Sequence, residues 1–501
     1  MGHTTATCPY RVAPGHGTTP DARAASTRVL AALAARERGG APSARAPPPP
    51  PSSTSLTIDA AVLRLHTRRV TAIEFPGASD RTAVSGDKRG GVAVWDFEAV
   101  AERATFRPHA ANVNTLRAYG PGSLIASTGS DGALKLIDVS ERAVVSTPLH
   151  LNPGGWIDGV SDEKTWGQLA GLDVAAERGL MVGQKRVKGQ WPRARAALAD
   201  LPPLSLPLPQ VAGDTSGRIW LCDARSPTPA GAAQLHKKGK VHSASLSTAD
   251  PNLLLTGGGD WTARFHDIRA LSLSSDGRSH KPGGPALITC LAGHEKGAVV
   301  ASYFSPATGR RVLTTTTDNR LRVWDDVVCA ASGKAPARTI VHSHDFNRYL
   351  TPFRAEWDPS DPSERRITIG RYISESVCGA ALHPLDVLDA ATGRSLAVGL
   401  DPGLSTIVTV ARFHPRVPDL IVAGSSRSLY AWRFGDRGAG GGGGDGPGGG
   451  PGGGPGGGPG GGDDGGDQPP RRPWRSFDAA EPDDEADAKK KKRKAAAAGA
   501  D

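Results

Sequence analysis

Residues 293–325 read GHEKGAVVASYFSPATGRRVLTTTTDNRLRVWD, and they carry the clearest structural pattern in this 501-residue chain. Three short runs rich in β-branched residues are separated by turn-forming residues, which predicts strands at Val299–Phe304, Val312–Thr316 and Leu321–Trp324. The pair Gly293-His294 precedes the first strand, and the pair Trp324-Asp325 closes the last one. The stretch therefore predicts one small antiparallel β unit.

The closing residue of this unit has counterparts along most of the chain. They occur at seven positions: Asp96, Asp138, Asp223, Asp267, Asp325, Asp389 and Arg433. A Gly-His start with a Trp-Asp finish is the signature of a WD repeat, and such repeats form the four-stranded blades of a β-propeller. The sequence therefore predicts an all-β fold, a seven-bladed WD-repeat β-propeller over residues 56–437 whose blades bury their faces against one another.

One interval between closing residues is too long for a single repeat. The interval from Asp138 to Asp223 is about twice as long as the one before it, from Asp96 to Asp138. The excess coincides with residues 184–210, QKRVKGQWPRARAALADLPPLSLPLPQ, which are first basic and then proline-rich. We interpret this segment as an insertion in a strand connection, with translated intron sequence as the alternative.

Both ends of the chain have a composition that does not favour folding. Residues 1–55 finish in a proline run and are predicted to be mostly disordered, with helical spacing over Asp21–Arg38 that is compatible with a short helix. Residues 438–501 form a Gly-rich, acidic tail, and 21 of the 64 glycines lie between residues 438 and 466. Such a segment buries too little apolar surface to offset the entropy of ordering it.

The tail also carries six consecutive cations. They predict a nuclear localisation signal, with a solubilising charge run as the alternative. The residues are Lys489, Lys490, Lys491, Lys492, Arg493 and Lys494.

The charge of the chain is unevenly distributed. The net charge is +10, and residues 438–501 contain nine Lys and Arg against eleven Asp and Glu, so the rest of the chain carries +12. A basic folded body is typical of proteins with an anionic partner such as nucleic acid, although solubility explains it equally well. No apolar run approaches the roughly 20 residues that a membrane helix needs, so no membrane partner is expected.

The polar residues of the repeats are expected to be structural. In repeats of this type a histidine before the first strand, a turn aspartate and a tryptophan form a hydrogen-bond network, which His294, Asp318 and Trp324 fit. The equivalent turn position is held by Asp87, Asp131, Asp214 and Asp260. The chain has no GxSxG, HExxH or Walker motif and its five cysteines form no CxxC pair. We therefore expect no catalytic residue, no metal and no cofactor, and a protein that is not an enzyme.

Several separate segments resemble, in the right order, the damage-specific DNA-binding protein 2 family, the small WD-repeat subunit of the UV-damaged-DNA-binding complex. Its plant and algal members are the most similar. The resemblance covers roughly Leu56–Phe434. The segments that carry it are Arg68–Thr71, Leu235–Val241, Phe265–Arg269, Ile340–Pro359, Ile367–Tyr372 and Ala423–Tyr430.

The resemblance implies a nuclear role in DNA repair. Members of this family grip damaged double-stranded DNA on one propeller face, push a hairpin into the minor groove at a pyrimidine photolesion and flip the lesion bases out. The other face and an N-terminal segment hold the large adaptor subunit of a cullin-4 ubiquitin ligase, for which the protein is a substrate receptor in nucleotide excision repair. The alternative is a nuclear WD-repeat scaffold that binds chromatin or peptides without selecting damage.

The same resemblance assigns roles to individual residues. The wedge hairpin comprises Phe346, Asn347, Arg348 and Tyr349. Phosphate contacts fall on Arg69, Arg117, Lys237, Lys238 and Lys240, and the lesion pocket on Arg371 and Tyr372. Two Asp-x-Arg triplets are expected at the adaptor, with Asp223, Arg225, Asp267 and Arg269 as their ends. The wedge order differs from the aromatic, glutamine and histidine triplet of vertebrate members, so the intercalating atoms are expected to differ.

Overall fold

The computed structural model describes residues 54–154, 167–174, 209–223, 226, 228–237, 239–250, 252–343, 352–373, 382–401, 404 and 406–434. Within these ranges nearly all regular structure is β-strand. The exceptions are a 3-10 turn at Ile268–Ala270 and one short helix, α1, at Val327–Ala331. The prediction of an all-β fold is confirmed.

Most of the described strands form five separate antiparallel sheets of four strands each. The first sheet contains β2 Val70–Glu74, β3 Thr82–Asp87, β4 Val92–Asp96 and β5 Ala101–Phe106, and the second β6 Val113–Ala118, β7 Leu124–Gly129, β8 Ala133–Asp138 and β9 Ala143–His150. The third contains β10 Leu169–Val174, β11 Pro209–Asp214, β12 Arg218–Asp223 and β13 Gly231–Gln234. The fourth contains β14 Val241–Leu246, β15 Leu253–Gly258, β16 Ala263–Asp267 and β17 Leu287–Cys290, and the fifth β18 Val299–Phe304, β19 Val312–Thr316, β20 Arg320–Trp324 and β21 Arg338–Val341.

The remaining described strands form one sheet of eight. Its order is β22-β23-β24-β25-β1-β28-β27-β26. The bounds are β1 Thr54–Val62, β22 Glu356–Trp357, β23 Arg366–Gly370, β24 Leu385–Asp389, β25 Ser395–Gly399, β26 Val408–Phe413, β27 Leu420–Ser425 and β28 Ser428–Phe434. Strand β1 pairs antiparallel with β28 and parallel with β25, so one strand from the start of the described chain fuses two groups that the repeat pattern predicted as separate blades.

The closing residues identified in the sequence lie at equivalent positions of the four-stranded groups, at or near the end of the third strand. Strands β4, β8, β12, β16 and β24 each end at the aspartate that was identified as a closing residue. Strand β20 ends at Trp324, immediately before Asp325, and Arg433 lies in β28. The three strands predicted from residues 293–325 are β18, β19 and β20, with only the start of β20 shifted, to Arg320. The WD-repeat propeller architecture is thereby confirmed.

The long interval between closing residues lies between two paired strands. Val174, the last residue of β10, pairs with Gln210 near the start of β11. Pro209 and Gln210, which the sequence assigned to the insertion, are therefore the first residues of a strand, and residues 184–208 lie outside the described part. Strand β1 likewise begins at Thr54, slightly before the predicted start of the propeller.

The hydrophobic core lies between neighbouring sheets. The described residues contain seven clusters of buried apolar side chains, and each cluster joins strands of adjacent four-stranded groups. Trp95 and Trp432 are among the largest fully buried side chains, and β27 and β28 pack on β2–β4 to close the ring. A single sheet would expose the apolar side chains of both its faces to water, so the ring is stabilised by the stacking of neighbouring sheets.

The first strand of each four-stranded group runs in the same direction along the centre of the ring. Near the strand starts, the Thr71 hydroxyl donates to the carbonyl of Val113 at 2.6 Å. Near the strand ends, the amide of Leu246 donates to the Asp173 carboxylate at 2.7 Å. The first residues of neighbouring inner strands lie next to each other, and so do their last residues. The ring therefore has two distinct faces. We call the face where these inner strands begin the amino face and the face where they end the carboxyl face.

A β-bulge recurs after the first residue of the inner strands. The register shifts there in β2, β6, β10, β14, β18 and β26. A bulge adds one residue to a strand and turns its side chain out of the regular alternation. Five of the added residues line a cavity at the centre of the ring: Thr71, Asn114, Ala170, His242 and Thr409. The bulges thus decide which side chains face the channel.

Candidate functional site

The central channel holds a cavity of about 270 Å³. Side chains from the inner strands β2, β6, β10, β14, β22 and β26 line it, together with residues just before β6, β10, β14 and β22 and just after β7. The two ends of this channel differ in charge, and that difference is the main electrostatic feature of the site.

The amino-face end of the channel is cationic. Lys240, His242 and Arg354 line it, and among the described residues no carboxylate forms an ion pair with Lys240 or Arg354. Burial and the Arg354 guanidinium lower the pKa of Lys240 to about 8, and burial together with Lys240 and Arg354 lowers the pKa of His242 to about 3. His242 is therefore neutral near pH 7, and the remaining cations are Lys240, whose charge is disfavoured by burial and by Arg354, and Arg354 itself, so an anion beside them would be stabilised.

The carboxyl-face end of the channel is balanced. Arg412 bonds to Glu74, and the Arg117 guanidinium lies 3.9 Å from Glu74 and 3.8 Å from Asp173. Burial alone would lower the pKa of Arg117, but Glu356 and the other nearby anionic groups raise it on balance. The arginines at this end are therefore already neutralised by carboxylates of the chain, so an external anion would gain little binding free energy there.

Arg117 lies at a different end of the channel from the other described residues that were predicted to contact phosphates. Arg117 is the fifth residue of β6, so it lies towards the carboxyl face, within the ion-pair network and over the ring of Tyr303 at 5.6 Å. Lys237 and Lys240 precede β14 and Arg69 precedes β2, so all three lie at the amino face. The structure thus brings three of the predicted contacts to one face and does not bring Arg117 there, while Lys238 lies outside the described residues.

The predicted wedge, Phe346–Tyr349, lies outside the described residues, but both ends of its segment are described. Ser343 precedes it and forms two hydrogen bonds with the backbone of Tyr372, one from its hydroxyl at 3.0 Å and one to its carbonyl at 3.3 Å. Pro352 follows it and lines the cationic end of the channel. The two described residues that flank the segment therefore lie at the amino face, Ser343 against Tyr372 and Pro352 in the same cavity lining as Lys240.

The two predicted lesion-pocket residues differ in their accessibility. Arg371 is partly exposed at the amino face, where its Nε lies 2.9 Å from Asp386. Tyr372 is only 4% exposed, and its ring stacks on His383 within the core shared by β18–β24. The ring of Tyr372 thus packs in the core, while its backbone bonds to Ser343, and its assignment to a base pocket stays a prediction.

The described Asp-x-Arg residues lie on the opposite face. Asp267 ends β16, and the two oxygens of its carboxylate accept from Nε and Nη2 of Arg269 at 3.1 and 2.9 Å. The Arg269 side chain remains 59% exposed. Asp223 ends β12 at the same carboxyl face, and Arg225 lies outside the described residues. A clamped but exposed guanidinium is well prepared to meet an acidic surface.

The buried histidines of the repeats belong to internal networks. In the second sheet, Nδ1 of His109 lies 3.0 Å from Asp131 and its Nε2 lies 2.7 Å from the Ser127 hydroxyl. His236 makes the matching contact with Asp260 at 2.8 Å. Burial alone would raise the pKa of Asp131, but the hydrogen bond and charge of His109 outweigh burial and lower it to about 2. These groups join the connection before an inner strand to the turn after the next strand, as the sequence predicted.

The fifth sheet departs from this pattern. His294 bonds to the Thr314 hydroxyl at 3.0 Å, but the Asp318 carboxylate pairs with Arg322 at 2.5 Å. Trp324 stacks near His294 at 5.6 Å, while its indole N–H donates to a backbone carbonyl elsewhere. The predicted network of His294, Asp318 and Trp324 is therefore divided: His294 bonds to Thr314, and Asp318 bonds to Arg322.

Two residues of the cationic end were not singled out in the sequence. Arg354 lies inside the segment that carries the family resemblance, and His242 follows closely after Lys240. Their spacing along the chain gives no sign that they meet, because the bulge in β14 turns His242 into the channel. In the described part of the chain no group of His, Cys, Asp and Glu is arranged to hold a metal ion, and no helix there is long and apolar enough to cross a membrane.

Comparison with known proteins agrees with this architecture. The family described as WD domain, G-beta repeat matches residues 101–138 and 285–325. The chain is 35% identical over 437 residues to DNA damage-binding protein 2 of Oryza sativa subsp. japonica, covering 86% of this chain and 66% of that protein. It is 37% identical over 434 residues to Protein DAMAGED DNA-BINDING 2 of Arabidopsis thaliana, covering 86% and 68%. DNA damage-binding protein 2 of Gallus gallus is 26% identical over 372 residues, covering 73% and 62%. The chain thus spans about two thirds of the length of its plant relatives.

Proposed function

This chain belongs to the DNA damage-binding protein 2 family, and from that premise we propose that it binds damaged double-stranded DNA with its amino face. The observation that carries the proposal is the cationic end of the channel, where Lys240 and Arg354 have no carboxylate partner among the described residues. A backbone phosphate would supply the missing negative charge. Such contacts give affinity and orientation without reading sequence.

Damage selection is proposed to come from the segment that contains Phe346–Tyr349. A pyrimidine photolesion stacks and pairs poorly, so extruding it costs less free energy than extruding normal bases. Side chains that enter the minor groove and fill the vacated space stabilise the extruded state. Of the residues that flank the segment, Ser343 bonds to Tyr372 and Pro352 lines the same cavity as Lys240, which supports a wedge next to the phosphate contacts.

The carboxyl face is proposed to dock a protein partner. The exposed Arg269, held by Asp267, supports binding to the adaptor subunit of a cullin-4 ubiquitin ligase, with this chain as the substrate receptor in nucleotide excision repair. DNA and adaptor would then bind at once, since the two sets of residues lie on opposite faces. The proposed role is one of binding rather than catalysis.

Two finer assignments complete the proposal. We propose that the eight-stranded sheet counts as two blades fused by β1, so that the propeller has seven blades. We also propose that the cations at residues 489–494 direct the chain to the nucleus, where its DNA substrate lies.

The proposal is tested by fluorescence anisotropy with the full chain and one labelled duplex, before and after ultraviolet irradiation. Competition with unlabelled DNA of each kind separates damage selection from general affinity. We expect tighter binding to the irradiated duplex. Equal affinity for both forms would favour the alternative, a nuclear WD-repeat scaffold without damage selectivity, and would overturn the proposed function.

A further inference from the structure

Trp261 is the most unusual side chain on the amino face. It lies in the turn between β15 and β16, and its indole is 53% exposed. Of the exposed large apolar residues in the described chain, it is the only aromatic one. Its ring stacks on no other described aromatic or cationic group. The core therefore gives no reason for a tryptophan at this position.

The backbone at Trp261 makes the choice of residue more unusual still. Its φ is +65°, in the left-handed region that bulky residues rarely adopt. Counting from the turn aspartate, the equivalent residues of the second and fifth sheets are Gly132 and Asn319, with φ of +80° and +60°. Glycine and asparagine tolerate this conformation, whereas an indole is unfavourable there. Trp261 thus exposes an apolar ring to water and has an unfavourable backbone conformation, and such a residue is a candidate for function.

The turn that carries Trp261 is held in a defined place. Asp260, the preceding residue, accepts from Nη2 of Arg264 at 3.0 Å and contacts Nδ1 of His236 at 2.8 Å. The amide of Gly259 donates to the carbonyl of Lys240 at 2.8 Å. The backbone of Trp261 is therefore held on the amino face beside Lys240, so only the side-chain rotamer remains to be ordered when a ligand covers the ring.

We propose that Trp261 is a DNA contact residue that packs its indole ring against a base or deoxyribose of the strand whose phosphates lie at Lys237 and Lys240. The inference rests on the proposed function and adds to it a residue that neither the wedge nor the phosphate contacts include. A flat, exposed aromatic ring beside cations is the arrangement with which proteins bind nucleotides without reading sequence. A protein partner would have to bring matching negative charge to the same rim, and it is the competing outcome of the test.

Three variants of the full chain distinguish the effect of the indole ring from the effect of the backbone conformation at residue 261. Trp261→Gly removes the indole and relieves the positive φ, so the thermal midpoint should stay equal or rise. Trp261→Phe keeps an aromatic ring. The matched control is Val100→Gly, because Val100 is also exposed, at 47%, and also has a positive φ of +51°, but it follows β4 on the carboxyl face.

Binding to irradiated and intact duplex is then measured by anisotropy over a range of salt concentrations. We expect Trp261→Gly to lose about tenfold in affinity for both DNAs. The slope of log K against log salt should stay unchanged, since no phosphate contact is removed. Trp261→Phe should retain most of the affinity and Val100→Gly all of it.

Three results would overturn the inference, and they differ in what else they affect. If the unaltered chain binds DNA and Trp261→Gly binds equally well, the inference fails alone and a protein partner becomes the better explanation for the ring. If the unaltered chain binds neither duplex, the proposed function fails as well. A fall in the thermal midpoint of Trp261→Gly would also contradict the inference, because it would show a structural role for the ring.

Discussion

Nδ1 of His236 lies 2.8 Å from Oδ1 of Asp260, and this contact ties the connection before β14 to the turn after β15. The other ring nitrogen of His236 lies 2.9 Å from the Thr256 hydroxyl, and Arg264 closes the group from the third strand. Both ring nitrogens of the buried His236 therefore have hydrogen-bond partners. The cluster supports both Lys240 and Trp261, so the candidate interface depends on a network inside the fourth sheet.

Removing the carboxylate of this network should destabilise the fold strongly. Asp260→Ala leaves the buried Arg264 guanidinium without its counter-ion and His236 without its partner. Breaking a buried charge pair by removing one member costs about 3 kcal/mol or more. Urea unfolding measures the loss, and Asp276→Ala is the control because Asp276 lies on an exposed loop, where the change should stay within about 0.5 kcal/mol. Similar effects of the two substitutions would contradict the structural role of the network.

Acid should destabilise the fold well before its carboxylates titrate. Burial lowers the pKa of His294 and of His414 to about 4 in the folded chain, against about 6.5 when unfolded. The unfolded chain therefore binds protons first, so stability is complete above pH 6.5 and falls as the pH falls towards 4. At pH 5 each histidine should account for a loss of about 2 kcal/mol in the free energy of unfolding.

Urea unfolding at pH 7.5 and pH 5 measures this loss. His414→Gln is the informative variant, because the glutamine oxygen can still accept from the backbone amides of Arg416 and Val417 but does not titrate. It should remove the roughly 2 kcal/mol that His414 contributes, while His294, His242 and His266, whose pKa values are also lowered, keep the rest of the pH dependence. Equal unfolding midpoints at the two pH values would show that the buried histidines are not what limits stability in acid.

The repeat pattern predicted the fold well because blade formation is local. Each closing aspartate follows a short β-branched run and a turn, and these residues determine strand ends without reference to distant parts of the chain. The fusion of β25 with β28 through β1 could not be predicted in this way. Thr54 and Ala397 pair although they come from opposite ends of the propeller sequence, and their alternation of side chains carries no sign of a parallel partner.

The site was only partly predictable for the same reason. Lys240 stands in a basic run that marks an exposed connection, and the structure brings it to the amino face. Arg117 reads as an equally plausible cation in the sequence, but the register of β6 carries it to the other end of the channel, where Glu74 and Asp173 lie. Tyr372 follows a strand as a surface residue would, yet its ring packs into the core.

Lys240 should contribute a phosphate contact that depends on salt. Lys240→Gln removes one cation from the end of the channel that lacks carboxylates, so it should weaken binding to irradiated and intact duplex by the same factor. The slope of log K against log salt should fall by about 1. Lys334→Gln is the control, since Lys334 follows β20 on the carboxyl face and should leave both quantities unchanged. An unchanged slope for Lys240→Gln would remove this residue from the interface.

Arg269 should matter for the protein partner and not for DNA. Arg269→Ala removes an exposed guanidinium at the carboxyl face, so it should reduce co-purification of the adaptor subunit while the affinity for DNA stays within about twofold. The matched control is Arg142→Gly, because Arg142 is also exposed in a connection after a third strand, and glycine suits its φ of +56°. Lost DNA binding with an intact adaptor complex would reverse the assignment of the two faces.

Damage selection should disappear when the wedge is removed. Replacing Phe346–Tyr349 with glycine and serine leaves Lys240 and Arg354 in place, so weak and salt-sensitive binding should persist. Nothing would then fill the space of an extruded lesion, and the affinities for irradiated and intact duplex should become equal. The same replacement at residues 276–279, an exposed loop after β16, is the control for chain flexibility and should keep the preference. If the preference survives in the wedge variant, selection resides in other residues of the amino face, and the extruded base must be stabilised by the channel itself.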